Sequence, residues 1–192
     1  MNGRHRVDRE AAISAGLHSA PRNEPEIAPH AFRRVLSHYC TGVVVITSMT
    51  ESGPVGLTCQ SFSALSLRPP LVLFSPAQAS TSWPLIRAQG IFAVNVLNHD
   101  QQQVAAAFSR RGADGGDKFA GIGWQPGPVG LPVLDDTLAH LECRLHSEFP
   151  GGDHQIVVGR VLSLAESHDE DGLPLLFFRS EYHRLHHAPP GP

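Results

Sequence analysis

Short apolar runs separated by turns rich in Gly, Pro and Ser make up most of the chain, and their periodicity is that of β-strands. The clearest run covers residues 139–146, where apolar and polar side chains alternate strictly. Such alternation is typical of a strand with one face on the core and the other in water. The expected core face is Ala139, Leu141, Cys143 and Leu145, and the expected wet face is His140, Glu142, Arg144 and His146.

Other strands are predicted where β-branched or large apolar residues cluster. These segments are residues 43–50, 55–60, 70–74, 91–97, 154–167 and 175–178. The first two are separated by Ser52-Gly53-Pro54, and the residues Pro150-Gly151-Gly152-Asp153 turn the alternating strand into the run that begins at His154. Both turns are built from residues that favour chain reversal.

Three short helices are predicted between these strands. The first opens at Pro29 and runs through Cys40, and the second covers residues 80–89, with hydroxyls at its start and Gly90 at its end. A third helix follows Asp100 as N-cap and ends near Phe108. Because strands and helices do not alternate regularly, we expect a mainly β fold, an antiparallel barrel or sandwich with helices packed outside.

The length of the chain indicates one domain with tails. At 192 residues the chain can bury a core without disulfides or a structural metal. Residues 1–28 carry alternating charges and few large apolar side chains, and residues 187–192 are rich in proline. We therefore predict a flexible tail at 1–28, one folded domain at 29–186 and a second flexible tail at 187–192.

Charge and cysteine content exclude several classes of partner. The net charge of −3 offers no basic surplus for nucleic acid. Three widely spaced cysteines without a C-x-x-C pair indicate free thiols in a reducing compartment. The longest uncharged window, residues 69–86, contains four prolines and cannot form a membrane helix, and the first residues do not resemble a signal peptide. We expect a soluble, cytoplasmic protein.

Several common catalytic and binding motifs are incomplete or absent in this sequence. Residues 121–126 begin like a dinucleotide fingerprint but have Pro126 where the third glycine belongs. Neither a phosphate-binding P-loop nor a nucleophile elbow occurs. His183, His186 and His187 lie near the end of the sequence without a thiol neighbour, so we predict no metal site. Cys59 has no activating base near it in sequence, which favours a buried thiol over a nucleophile.

Small polar residues are unusually dense at the ends of the predicted strands and before the second helix. They are Gly56, Thr58, Gln60, Ser61, Ser63, Ser75, Ser80, Thr81 and Ser82. Hydroxyls and backbone amides grouped in this way suit a phosphate and a flat polar heterocycle. From spacing alone, an equally good interpretation is that Ser80 or Ser82 merely caps the helix.

A family resemblance favours the binding interpretation. From about residue 30 to about residue 185, the chain resembles the flavin reductases. These are small NAD(P)H:flavin oxidoreductases that supply reduced flavin to two-component monooxygenases. The similar segments are TGVVVITS (41–48), PVGLTCQSFSALSLRPPLVLFSP (54–76), STSW (80–83), FAVNVL (92–97), DKF (117–119) and GGDH (151–154). The second segment is most like the reductase partners of aromatic and steroid-phenol hydroxylases.

The resemblance implies a split β-barrel, a homodimer, and a flavin, FAD or FMN, near the subunit interface. Residues implied to line the isoalloxazine are Pro54, Val55, Gly56, Leu57, Thr58, Gln60 and Ser61. The ribityl chain would follow Ser75, Pro76 and Ala77, and the phosphate would be bound by Thr81 and Ser82. Phe108, Lys118 and Phe119 would close the flavin site, with Lys118 as a cation near the phosphate.

The resemblance also implies where NADH, or NADPH, would bind. His154 would lie beside the flavin and orient the nicotinamide as the catalytic residue, and Tyr182 would help to hold the dinucleotide. Structural alternatives stay open for these residues: Lys118 as a solvated loop charge, Phe119 as core, His154 as an ordinary turn residue and Tyr182 as packing. The loop before Lys118 is longer than is usual in the family, which weakens the assignment of that residue.

The function implied is hydride transfer from NAD(P)H to FAD or FMN, with reduced flavin passed to a separate oxygenase component. Two other functions fit a barrel of this kind. One is a non-enzymatic flavin-binding module, and the other is an oxidase acting on a phosphorylated vitamin. The lack of a basic cluster around the hydroxyls, together with the GGDH turn, is evidence against the oxidase.

Overall fold

Antiparallel strands dominate the protein. The computed structural model describes residues 25–110, 118–167 and 172–185. The strands are β1 Thr41–Gly42, β2 Val44–Thr50, β3 Gly53–Cys59, β4 Ser63–Leu67, β5 Pro70–Phe74, β6 Ile91–Val96, β7 Trp124–Pro126, β8 Pro132–Leu134, β9 Ala139–Gly151, β10 His154–Glu166, β11 Leu176–Phe178 and β12 Glu181–His183. The helices are α1 Pro29–Leu36, α2 Trp83–Gln89 and α3 Gln102–Ser109.

Seven strands pair in the order β3-β2-β6-β9-β10-β5-β4, and every pairing in this sheet is antiparallel. A three-stranded sheet, β1-β11-β12, and the hairpin β7-β8 complete the strand pairing of the described residues. The fold is the predicted mainly β split barrel with a few short helices. Strand β3 lies at one end of the large sheet, so one edge of its backbone is left for other partners.

Strand β2 is buried on both faces, which explains its continuous run of β-branched residues. Val44 and Ile46 belong to one apolar cluster, with Phe74 and Phe92 among its members. Val43, just before the strand, and Val45 belong to a second cluster, with Ala105 and Phe108 of α3. This second cluster therefore fixes α3 against the sheet and places the end of α3 beside β3.

Contacts divide the chain into two compact units, Met1–Leu36 and Ser37–Pro192. The described part of the first unit consists of residues 25–28 and helix α1. The helix predicted to reach Cys40 ends at Leu36 instead. In the second unit the Ser37 carbonyl accepts the Arg179 N–H at 2.8 Å, and Thr41 pairs with Phe177, so the chain is extended there. Most of the predicted tails lie outside the described residues.

Two helix starts also differ from the prediction. Helix α2 begins at Trp83 rather than residue 80, because the Ser80 hydroxyl accepts the Trp83 N–H at 3.1 Å from outside the helix. Helix α3 has Gln101 rather than Asp100 at its N-cap position, and the Gln101 side chain accepts the Asn98 N–H. The short strands β1, β4, β7, β8 and β12 were not predicted, since two to five residues carry little periodicity.

The wet face predicted for β9 is wrong at Glu142. Arg144 and His146 are exposed, but the Glu142 side chain is completely buried. Its carboxylate accepts N–H groups from Val129 at 3.0 Å and Leu131 at 3.2 Å. The loop between β7 and β8 therefore covers this strand, and a buried carboxylate meets its hydrogen-bonding requirement through backbone N–H groups.

No helix in the described ranges is long and apolar enough to cross a membrane.

Candidate functional site

A cavity of about 430 Å³ lies where the ends of β3 and β5 meet the start of β10 and the end of α3. This volume is within the range of sites for small organic ligands. The predicted site residues that line it are Leu57, Thr58, Gln60, Ser61, Ser75, Pro76, Ala77, Thr81, Phe108, Lys118, His154 and Tyr182. Residues separated by more than 120 positions in sequence are thus brought to one cavity.

Thr58 joins the strand side of the cavity to helix α3. Its hydroxyl donates to the Ala105 carbonyl at 2.6 Å, which leaves the hydroxyl oxygen as an acceptor. Because β3 is the end strand of its sheet, its outer backbone groups are also directed away from β2. This side of the cavity therefore offers a strand edge and a fixed hydroxyl to a planar polar ligand.

Ser61 holds the ends of β3 and β5 together at the cavity. Its hydroxyl accepts the Ser75 N–H at 2.8 Å and donates to the Ser75 carbonyl at 3.2 Å. The Cys59 thiol lies 3.2 Å from the same hydroxyl. Burial raises the pKa of the Cys59 thiol, so the group is a neutral thiol near neutral pH. This supports the interpretation of Cys59 as a buried thiol.

Lys118 is the only lysine in the chain, and its side chain is buried with 3% exposure. The ammonium donates to the Ser82 hydroxyl at 3.0 Å and to the Gly56 and Phe108 carbonyls, each at 3.3 Å. All three acceptors are neutral, and no carboxylate of the described residues forms an ion pair with it. Lys118 is therefore not a solvated loop charge; it is a buried amine whose hydrogen-bond partners among the described residues are all neutral.

The surroundings of Lys118 disfavour its charged form. Burial, and to a smaller extent the nearby Arg110, lower the pKa of Lys118. Both groups line the same cavity together with the exposed Thr81. An anion bound among them would remove this penalty, as expected of a phosphate subsite.

His154 lies at the start of β10, and its turn is fixed to the end of β5. The Asp153 carbonyl accepts the Gln78 N–H at 2.9 Å, and the Pro76 carbonyl accepts the Gln155 N–H at 3.0 Å. The Nδ1 atom of His154 is 2.7 Å from the Asp153 carboxylate. The side chain is thus positioned by both its backbone and its neighbour, while part of the ring faces the cavity.

Tyr182 reaches the cavity from β12 and packs edge-on against Phe177, with ring centroids 5.3 Å apart. Burial raises the pKa of the Tyr182 phenol, so the hydroxyl keeps its proton at neutral pH. It can donate a hydrogen bond to a ligand and does not compete as an anion.

Five predicted residues do not line the cavity. Pro54 pairs with Met49 near the far end of β3, and Val55 is in the core. Gly56 contributes its carbonyl to Lys118, and a Cβ there would lie only 2.7 Å from the Phe108 ring. The remaining two, Ser82 and Phe119, are buried, Ser82 under Lys118 and Phe119 against Phe108 with ring centroids 4.7 Å apart.

The cavity also contains residues to which the family resemblance assigned no role. They are Cys59, Ala79, Ser80, Ser109 and Arg110. The Ser80 hydroxyl accepts the Trp83 N–H, while Ser82 stands at the N-cap position of α2 and makes no side-chain capping bond. Arg110 adds a cation next to Lys118. Its position directly after α3, which ends at Ser109, was the available signal, but only the packing of α3 on β3 brings it to the hydroxyls.

The residues present fit a flavin mononucleotide unit. A strand edge and the Thr58 hydroxyl suit the polar edge of a heterocycle, and the buried Lys118 ammonium in a cavity that the exposed Thr81 also lines suits a phosphate. A split barrel with such a cavity fits the class of proteins that bind a phosphorylated cofactor, and His154 and Tyr182 also line the cavity.

Comparison with known proteins gives the family. A model of the flavin reductase like domain matches residues 36–186. The reductase subunit HsaB of a flavin-dependent monooxygenase from Rhodococcus jostii (strain RHA1) is 51% identical over 156 residues, covering 81% of this chain and 77% of that protein.

Two solved structures of related proteins are also similar to this chain. Nitrilotriacetate monooxygenase component B from Mycobacterium thermoresistibile is 48% identical with a TM-score of 0.77, covering 84% of this chain and 90% of that one. The NADH:FAD oxidoreductase SgcE6 of Streptomyces globisporus C-1027, in complex with NAD and FAD fragments, is 32% identical with a TM-score of 0.76, covering 88% of this chain and 100% of that one. The chain belongs to the flavin reductase family, and it is an oxidoreductase.

Proposed function

We propose that the protein is a flavin reductase that transfers a hydride from NADH to FAD or FMN and supplies the reduced flavin to a separate monooxygenase component. The observation that supports this most directly is the composition of the cavity described above. It combines the buried Lys118 ammonium, whose partners among the described residues are neutral, with a strand edge and a fixed histidine. The names of the relatives, a monooxygenase reductase subunit and an NADH:FAD oxidoreductase, are consistent with it.

The strand side of the cavity holds the isoalloxazine. Thr58 accepts a hydrogen bond from the heterocycle, and the backbone of β3 from Leu57 to Gln60 hydrogen-bonds its polar edge. Ser75, Pro76 and Ala77 line the path of the ribityl chain beyond the Ser61 hydrogen bonds. Amide and hydroxyl donors fixed in this way stabilise negative charge on the heterocycle without reorganising.

The other part of the cavity holds phosphate. Thr81 is exposed at the start of α2, and Lys118 and Arg110 supply positive charge beside it. Ser82 acts through Lys118, because its hydroxyl accepts a hydrogen bond from the ammonium and is itself buried. Gly56 and Phe119 are supporting residues: the first accepts from Lys118, and the second packs against Phe108.

His154 and Tyr182 position the nicotinamide. Hydride transfer requires little side-chain chemistry, because bound flavin supplies the hydride acceptor and NADH the donor. What the chain contributes is the orientation of the two rings and the exclusion of other geometries. We assign this to the His154 ring, which is fixed by its turn, and to the protonated Tyr182 hydroxyl.

The reaction predicts NADH oxidation that depends on added flavin. Purified protein should consume NADH only when FAD or FMN is present, measured as the loss of NADH absorbance. A titration with both flavins and with NADH and NADPH gives the preferences. Binding of flavin without any nicotinamide oxidation would contradict the proposal and favour the non-enzymatic binding module.

We also infer that the protein is a cytoplasmic homodimer that delivers reduced flavin to its oxygenase by diffusion or brief contact. All three cysteines are free thiols, which is typical of proteins in a reducing compartment such as the cytoplasm. Large apolar side chains are exposed on two strands of the seven-stranded sheet, including Leu67 of β4 at 90% and Leu164 of β10 at 68%. Apolar exposure of this kind marks interfaces.

The dimer is tested by sedimentation velocity. The wild type should sediment as a dimer, and Leu164→Asp, which places a charge on the exposed apolar side chain, should shift it toward monomer. Glu51→Asp, in an exposed turn, is the control. A monomeric wild type would contradict the inference.

A further inference from the structure

We propose that Asp153 is a positioning residue of the reductase site, which fixes the ring of His154 so that its Nε2 atom accepts a hydrogen bond from the nicotinamide carboxamide. This inference rests on the proposed function for the identity of the ligand. The statement about the ring itself does not, because it concerns only two neighbouring side chains.

The contact between the two side chains is short. The Asp153 Oδ1 atom lies 2.7 Å from His154 Nδ1, the distance of a charge-assisted hydrogen bond. A neutral imidazole carries one N–H, and the partner of that N–H decides which nitrogen is protonated. The carboxylate can only accept, so it selects the form with the proton on Nδ1 and leaves Nε2 as an acceptor.

An exposed pair of this type is worth little unless its geometry is fixed beforehand. The Asp153 side chain is 93% exposed, so solvent weakens its attraction to the imidazole. The contact therefore contributes only if the backbone of the turn already holds the two side chains in place. Three hydrogen bonds hold this backbone: Gln78 N–H to the Asp153 carbonyl at 2.9 Å, Gln155 N–H to the Pro76 carbonyl at 3.0 Å, and the Gln78 side chain to the Gly152 carbonyl at 2.8 Å.

These hydrogen bonds connect the turn to the cavity wall. Ala77 and His154 form a bridge between the two segments, and Pro76 and Ala77 line the cavity with His154. Because Nδ1 is engaged by Asp153, the opposite edge of the ring, with Nε2, is available to a ligand. A carboxamide NH₂ donates hydrogen bonds, and an acceptor at Nε2 is its complement. A ring with its proton on Nε2 would present a second donor instead.

The chain contains a matched pair for comparison. His99 and Asp100 are also consecutive, with Nε2 and Oδ1 3.3 Å apart, but neither lines the cavity. Asp100→Ala therefore removes a histidine-contacting carboxylate of the same type away from the ligand. This variant separates an effect of the site from an effect of losing one exposed acidic residue.

The first measurement is the protonation of the His154 ring by ¹⁵N NMR at a pH where the ring is neutral, with His154→Ala used to assign the signal. The wild type should carry its proton on Nδ1. Asp153→Ala should shift the population toward Nε2, and Asp153→Asn, which keeps an oxygen acceptor, should restore the wild-type form. An unchanged ring in Asp153→Ala would overturn the proposal.

The second measurement is steady-state kinetics with NADH. Loss of one hydrogen bond of about 1 kcal/mol corresponds to about a fivefold rise in the NADH KM for Asp153→Ala. The Kd for flavin should not change, Asp153→Asn should be within about twofold of the wild type, and Asp100→Ala should match the wild type. Equal losses in Asp153→Ala and Asp100→Ala, or no recovery in Asp153→Asn, would contradict the proposal.

The two measurements keep this inference separate from the proposed function. A wild type that oxidises no NADH with any flavin would refute the proposed function, while the NMR result still decides whether Asp153 positions the ring. A wild-type ring already protonated on Nε2 would refute the positioning role, even in an active enzyme.

Discussion

The Lys118→Met variant is expected to bind FMN and FAD about tenfold more weakly than the wild type and to bind riboflavin, which lacks the phosphate, equally well. Methionine keeps the length and the apolar stem of the side chain but removes the charge. If the ammonium compensates the phosphate, its loss costs about 1.4 kcal/mol or more in binding, and only ligands with a phosphate are affected.

The stability of this variant should change much less. The carbonyls of Gly56 and Phe108 and the Ser82 hydroxyl lose a donor, but the folded protein no longer has to bury the ammonium, which forms no ion pair with the described residues. These contributions oppose one another, so the free energy of unfolding should change by about 1 kcal/mol or less.

Three flavins separate the two roles that Lys118 could have. Binding of riboflavin, FMN and FAD is measured by quenching of flavin fluorescence in the wild type, Lys118→Met and Arg160→Met. Arg160 is exposed on β10 outside the cavity, so Arg160→Met removes a positive charge without touching the site. Equal weakening for riboflavin and FMN in Lys118→Met would mean that the lysine only cross-links the fold.

The Glu142→Ala variant is expected to lower the free energy of unfolding by about 3 kcal/mol, because buried N–H groups without an acceptor cost about 1–3 kcal/mol each. The Val129 and Leu131 N–H groups would both lose their acceptor. A Cβ at Gly127 would lie within 2.9 Å of the same carboxylate, which shows how closely the loop packs on it. Since Glu142 does not line the cavity, flavin binding by the folded protein should be unchanged.

Urea denaturation with two further variants tests this expectation. Glu142→Gln keeps an oxygen acceptor and should lose less stability than Glu142→Ala. Glu51→Ala, in an exposed turn, should stay within about 0.5 kcal/mol of the wild type. If Glu142→Ala unfolded at the same urea concentration as Glu51→Ala, the carboxylate would not hold the loop.

The thiol beside Glu142 should stay inert in these experiments. Burial, and to a smaller extent the neighbouring carboxylate, raise the pKa of Cys143 to about 12. It is therefore a neutral thiol at the pH of the measurements and needs no replacement.

Strand and helix positions were largely predictable because they depend on local periodicity. Alternation between residues 139 and 146 and the apolar run before Thr47 both correspond to observed strands. The errors occur where a distant segment supplies a partner. The alternation pattern places Glu142 on the solvent-facing side of its strand, yet residues 129–131 cover it. The sequence of the strand itself contains no sign of that loop.

The same division applies to the site. The sequence by itself determined the mainly β class and, through the family resemblance, most of the residues that line the cavity. Only the tertiary structure decided which contacts each of them makes there, because the contacting residues lie far apart in the chain. Lys118 is buried because the folded chain brings Gly56, Ser82 and Phe108 into contact with its ammonium group. Burial and hydrogen bonding are properties of the assembled fold, and local sequence does not encode them.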